Sequence, residues 1–306
     1  MIRKTHLLAH PSRPSRTARI LSFPLTRIVV AALVVALPVI LTMDLTHAAL
    51  PGPMRTAWPS LLASVLCVTA YRAYVRRAEK RVVSELEAAH AWRDGGAGLV
   101  VGALLLMVTI GALAAVGRYV VSGRNGWVAV IAPVAGLVLA VVFEEVLFRA
   151  VLFRMVEHVL GSWIALPISA VLFAMAHLSN AGVTSLAVGA TAMAGVLFAG
   201  AFMATRRLWL PMGIHFAWNW LLDAVFSVPV SGHPSAGLLR STLAGPDWLT
   251  GGAYGVEASV VAFAVISAAA LSFVGYAQRR GRIVPPFWRR HPAEVPGEPR
   301  TRAKAG

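Results

Sequence analysis

The sequence predicts an all-α, polytopic membrane protein with about eight transmembrane helices. Three observations carry that prediction. Of 306 residues, 58% are apolar and only 13% charged, about half the roughly 25% charged content of a soluble domain. The mean hydropathy is +0.70, and several apolar runs approach the ~20 residues that a spanning helix needs. Lysine and arginine also collect beside alternate ends of those runs, as the positive-inside bias requires. An ordinary soluble enzyme, a disulfide scaffold and a disordered regulator are thereby excluded. Cys67 is the only cysteine, so it has no intrachain partner and says nothing about redox compartment.

The helices are expected at about 27–43, 57–75, 97–117, 127–156, 162–178, 183–204, 208–227 and 253–277. The first follows the basic arm Arg3, Lys4, Arg13, Arg16, Arg19 and Arg27, which holds no acid. His47-Ala48-Ala49 after it imitates a signal cleavage site, but the basic lead is long for a signal peptide, so an uncleaved first helix is expected. After the second helix come Arg76, Arg77, Lys80, Arg81 and Arg93, mixed with Glu85 and Glu87. This connector, Glu79–Asp94, reads as a solvated helix. Arg154, Arg206-Arg207 and the tail should share its side of the membrane. The opposite connections, near 44–56, 118–126, 179–182 and 228–252, hold only Arg55, Arg118, Arg124 and Arg240. Eight alternating spans place both termini in the cytoplasm, most simply at the plasma membrane. The net charge of +15 therefore points to an anionic leaflet. No stacking or groove-reading motif accompanies it, so nucleic acid is not an expected partner.

The chain divides into 1–96 (basic arm, two spans and connector), 97–277 (a six-helix remainder) and 278–306, a Pro- and Arg-rich tail expected to be disordered. There is no internal repeat and no inverted pair of broken helices of the transporter kind.

Within 127–227, Glu144, Glu145, Arg149, His177, His215 and Asp223 interrupt apolar helices, with Asn219 as a polar companion. An ionisable group at the bilayer centre costs ~2.5–3.5 kcal/mol even on the lenient insertion scale, which makes each a functional candidate. Glu145 and Arg149 are i,i+4 and can pair on one helix face. Glu144 is rotated about 100° away, which leaves it free to act as a general base. The alternative is one structural cluster of all three. His215 and Asn219 are also i,i+4 and can both donate to one oxygen, as an oxyanion hole requires. Asp223 either orients Asn219 or sits at the rim. Depth tests whether these groups can meet. If the fourth helix runs on to Glu157, Glu144 lies ~20 Å in, matching ~22 Å for His177, whereas His215 lies only ~10 Å in unless its helix tilts or starts below the surface. A long fourth helix is therefore expected, with Arg154 snorkelling to the interface.

Glu144-Glu145-x-x-x-Arg149, Phe173-x-x-x-His177 and His215-x-x-x-Asn219, in that order on successive helices, resemble the three motifs of the CAAX-protease and bacteriocin-processing (CPBP, or Abi) intramembrane endopeptidases. The resemblance covers about residues 127–226. It implies an intramembrane catalytic cavity in which Glu144 activates a water with help from His177, His215 and Asn219 stabilise the oxyanion, and Glu145 and Arg149 support the site. The implied reaction is metal-free hydrolysis of a membrane-associated protein or peptide, lipidated in the prenyl-protein members. Three other readings stay open. Glu144, His177 and His215 make a two-histidine, one-carboxylate set of the kind catalytic zinc uses, although no His-Glu-x-x-His is present. Carboxylates and histidines also relay protons in transporters. A non-catalytic membrane scaffold or immunity protein is the third.

Overall fold

The computed structural model describes residues 23–290 apart from Arg55. The basic arm before residue 23 and the tail beyond 290 lie outside the described residues. Eight helical segments fall where the apolar runs predict them. They are α1 (Pro24–Ala49), α2 (Trp58–Tyr74, with π-helical Val75–Glu79 after it), α3 (Ala91–Ala115) and α4 (Val128–Leu160). Then come α5 (Ser162–Met175), α6 (Ser185–Thr205), α7 (Trp209–Trp220, continued by π-helical Leu221–Val225) and α8 (Val260–Arg279). Five helical stretches are long and apolar enough to cross a membrane: α1, α3 with its preceding turns from Ser84, α4, α6 and α8. The exposed apolar rows on α1 and α3, such as Leu33, Leu37, Leu104 and Val108, suit lipid contact. The chain is an integral membrane protein.

The long fourth helix is present and reaches Leu160. It is not uniform, because Val146–Phe153 is π-helical, a widening common at functional sites and here placed directly after the two glutamates. α5 ends at Met175, earlier than expected, so His177 lies in the turn beyond it. α8 starts only at Val260, where Ser259 caps it by accepting from Ala262 N. Residues 252–258 form two short 3-10 turns instead.

Three further features depart from the sequence reading. The connector is not a solvated helix. Lys80 takes a left-handed backbone (φ 53°) that stops the chain, and Arg81 folds back onto Glu79 and Glu85. Glu85, 2% exposed, also accepts from the Tyr71 hydroxyl of α2. The connections 118–126 and 228–252 pair as a small antiparallel sheet, β1 (Tyr119–Arg124) against β2 (Leu239–Leu243), with a bulge between Val121 and Gly123. The start of the tail is packed rather than disordered. Val284 exchanges hydrogen bonds with Ser162 (2.9 and 2.8 Å), and Arg282 offers its carbonyl to Arg206.

Burial raises the Glu79 carboxyl pKa, but the Arg154 and Arg81 guanidiniums that hydrogen-bond it more than offset that, so it lies below its ordinary 4.5. A carboxyl lowered by folding stabilises the fold above its unfolded value and loses that contribution as pH falls through its folded value. Acidification from pH 7 to below 4.5 should therefore narrow the melting-temperature gap between wild type and Glu79→Gln.

α7 is held against α3 backbone to backbone. A Cβ at Gly98 would lie 2.4 Å from the Leu210 carbonyl, one at Gly102 would lie 2.3 Å from that of Ile214, and one at Gly213 would lie 2.4 Å from that of Gly95. Glycine at these positions lets the helices touch, as small residues do in membrane bundles. Gly102→Leu should push α7 outward, cost about 1–3 kcal/mol in stability and reduce any activity that depends on His215 and Asn219 together. Thermal denaturation in detergent and an activity assay check the two effects.

Candidate active site

α4, α5, α6, α7 and the approach to α8 enclose a cavity of about 480 Å³. Most of its wall is apolar, so the polar groups on it stand out. Glu144, His177, His215 and Asn219 all line it, and Asp223 does so one turn beyond Asn219. The structure thus brings together in one cavity the four side chains that the sequence proposes as catalytic.

The two adjacent glutamates have different surroundings. Glu145 is fully buried and Glu144 is 24% exposed. Glu145 Oε1 accepts from Arg149 Nη1 at 3.0 Å, and Arg149 is itself fully buried. The guanidinium lies 4.4 Å from the Phe173 ring centroid and 4.9 Å from that of Phe198, a cation–π cage that lets a planar cation sit without water. The pair predicted from i,i+4 spacing is therefore present. The Oε2 atom of Glu144 has no hydrogen-bond partner although it is buried. An orphaned acceptor beside a cavity is costly unless water or a ligand meets it there.

The sequence could not show what holds His215. Its Nδ1 lies 2.9 Å from Glu145 Oε1, so Glu145 serves both Arg149 and the histidine. Phe198 stacks on the imidazole at 4.5 Å and 18°. With Nδ1 held by a carboxylate, Nε2 is the ring atom left for chemistry, and it lies 3.9 Å from Glu144 Oε2. This is the orienting logic of a carboxylate behind a catalytic histidine. His215 therefore reaches the depth of the glutamates, which its distance along α7 alone did not ensure.

His177 Nδ1 lies 2.8 Å from the Phe173 carbonyl. A carbonyl only accepts, so Nδ1 carries a proton and donates it there, which leaves Nε2 as the ring nitrogen without a partner. Asn219 is 9% exposed, and its amide makes no hydrogen bond among the described residues. Asp223 does not orient it: the Ser235 hydroxyl bonds the Asp223 backbone carbonyl, and the Asp223 side chain stands at the cavity wall. Of the two positions considered for Asp223, the structure gives the rim.

As for metals, no three His, Cys, Asp or Glu side chains among the described residues group closely enough to hold an ion. Glu144, His177 and His215 line one cavity but do not form such a group.

An acid on the cavity wall escaped the sequence reading. Glu257, in the turn before α8, accepts from Trp218 Nε1 (3.1 Å) and from the backbone N–H and hydroxyl of Ser231, so it pins the 228–238 loop over the cavity. A lone acid just ahead of an apolar helix was the available signal.

Compared with known families, residues 125–221 match the model of type II CAAX prenyl endopeptidase Rce1-like proteins. This segment is similar to the Rce1-like family. It spans about a third of the chain and contains Glu144, Glu145, Arg149, His177, His215 and Asn219. The Rce1-like family is one of CAAX-type intramembrane proteases, which supports a peptidase and implies a peptide or protein substrate. No curated protein and no solved structure matches the chain. Residues before 125 and after 221 lie outside the Rce1-like match.

Proposed function

We propose that the protein is an intramembrane endopeptidase in which Glu144 activates a water for direct attack on a peptide carbonyl, without a metal. The observation that carries this reading is the asymmetry of the glutamate pair. Glu145 is spent on Arg149 and His215 through Oε1 and does not line the cavity, whereas Glu144 lines it and makes no hydrogen bond among the described residues. In the proposed reaction Glu144 takes one proton from a water that His177 Nε2 also holds. The water oxygen bonds the carbonyl carbon, and the charge that develops on the carbonyl oxygen meets the Asn219 amide and His215 Nε2–H. Donation from Nε2 while Nδ1 donates to Glu145 requires a proton on both ring nitrogens. Collapse breaks the C–N bond, and Glu144 returns the proton to the leaving amine, so no covalent enzyme intermediate forms.

The substrate reading is a membrane-associated protein or peptide, with a lipidated chain end as one member of that class. The lysine and arginine distribution supports cytoplasmic termini and an anionic leaflet. The metal-free reading rests on Glu144 as the base that activates the water. Hydrolysis of a quenched-fluorescence peptide by the purified, reconstituted protein should persist after exhaustive treatment with a zinc chelator. Loss of activity on chelation, restored by zinc, would overturn the metal-free mechanism and favour Glu144, His177 and His215 as ligands.

A further inference from the structure

The cavity wall carries three histidines, His177, His215 and His233, and apart from these its ionisable groups are all carboxylates. Three carboxylates line it, Glu144, Asp223 and Glu257, and among the described residues no lysine or arginine does. Arg149, the nearest cation of the site, is fully buried behind Glu145 and does not reach the cavity. Glu257 is fixed by its three hydrogen bonds, whereas the Asp223 carboxylate faces the space with no cation beside it among the described residues. A second observation places a ligand there. Asn219, nine-tenths buried, aims an unpartnered amide into the same space.

We infer that Asp223, backed by Glu257, forms a subsite for a cationic side chain of the substrate, so that the enzyme prefers a lysine or arginine close to the scissile bond. This rests on the endopeptidase reading above. Asp223 follows Asn219 by four residues, about 6 Å along the helix axis. An extended peptide advances about 3.3 Å per residue, so with the scissile carbonyl at Asn219 the cation falls about two residues away. A partly desolvated carboxylate attracts a cation and repels an anion far more strongly than it would in water. The same field disfavours a substrate that must bring a free terminal carboxylate into this part of the cavity. Discrimination then comes as much from repelling acidic residues as from attracting basic ones.

The test uses the full chain reconstituted in vesicles and a peptide library with Lys, Gln or Glu at each position around a fixed scissile bond. Wild type should favour Lys over Glu at least about tenfold at one position within two residues of the cleaved bond, and Asp223→Asn should reduce that ratio about tenfold. Asp223→Lys should invert it. A purely structural role for Asp223 would lower cleavage of every peptide and leave the ratio unchanged, which would overturn the subsite. A wild type that cleaves without regard to charge would overturn it too, with the endopeptidase reading intact. Cleavage that survives Glu144→Gln, or no cleavage by wild type, would instead remove the endopeptidase reading and this inference with it.

Discussion

Glu144→Gln should remove peptide hydrolysis almost completely, on the order of a thousandfold, and leave the fold intact. The amide keeps the size of the side chain but cannot accept the proton of an attacking water, and general-base catalysis contributes roughly 10²–10⁴-fold. Little stability should be lost, because Glu144 pairs with nothing more closely than His215 at 3.9 Å and is partly exposed to the cavity. Replacing a carboxylate whose buried oxygen has no partner by a neutral amide relieves a desolvation cost, so the melting temperature should stay level or rise. The same substitution one residue later should behave oppositely. Glu145→Gln takes the charge from a side chain that serves Arg149 and His215 at once, so stability and activity should fall together. Paired melting curves and turnover measurements on the two variants separate these outcomes. Equal loss of activity with equal loss of stability would mean that the two glutamates form one structural cluster.

The second large effect concerns Arg149. It is fully buried, its Nη1 is bound to Glu145, and its Nε has no partner. Arg149→Met should destabilise the protein by about 3–5 kcal/mol, because it strands a carboxylate in a dry interior. Adding Glu145→Gln to it should recover most of the loss, since replacing both members of a buried pair is often close to neutral. The double variant should still be a poor catalyst, because nothing charged would then hold His215 Nδ1. Stability that returns without activity separates the pair's folding role from its positioning role. Denaturation in detergent at fixed pH, read beside turnover, makes the comparison.

Much of this arrangement was legible in the sequence because its causes are local. Apolar length gave eight helices, and i,i+4 spacing gave the Glu145–Arg149 pair and the separate orientation of Glu144. The depth of His177 required a fourth helix running past Arg149. Elements fixed by distant partners were not legible. Glu145 and His215 are 70 residues apart in sequence, and a face shared by His215 and Asn219 does not say which ring nitrogen is already occupied. Tyr119-Val120-Val121 has strand-forming residues, but its partner strand lies over 100 residues on, so the ladder leaves no short-range signal. The start of the tail was misread because the tail's composition is that of a disordered segment, while the anchorage at Val284 uses the backbone and the hydroxyl of Ser162. Lys80 stops the connector through a left-handed conformation that lysine does not advertise. Asp223 and Glu257 were visible only as single acids, and the cavity they share emerges from the packing of α4 through α8.

The most direct test of the central claim compares the peptide termini present in membranes that contain wild-type protein with those in membranes that contain Glu144→Gln at equal level. The account predicts new termini with wild type alone, generated by cleavage of membrane-associated proteins. Identical termini in both, with the variant shown to be folded, would contradict it and return the protein to a transporter or scaffold.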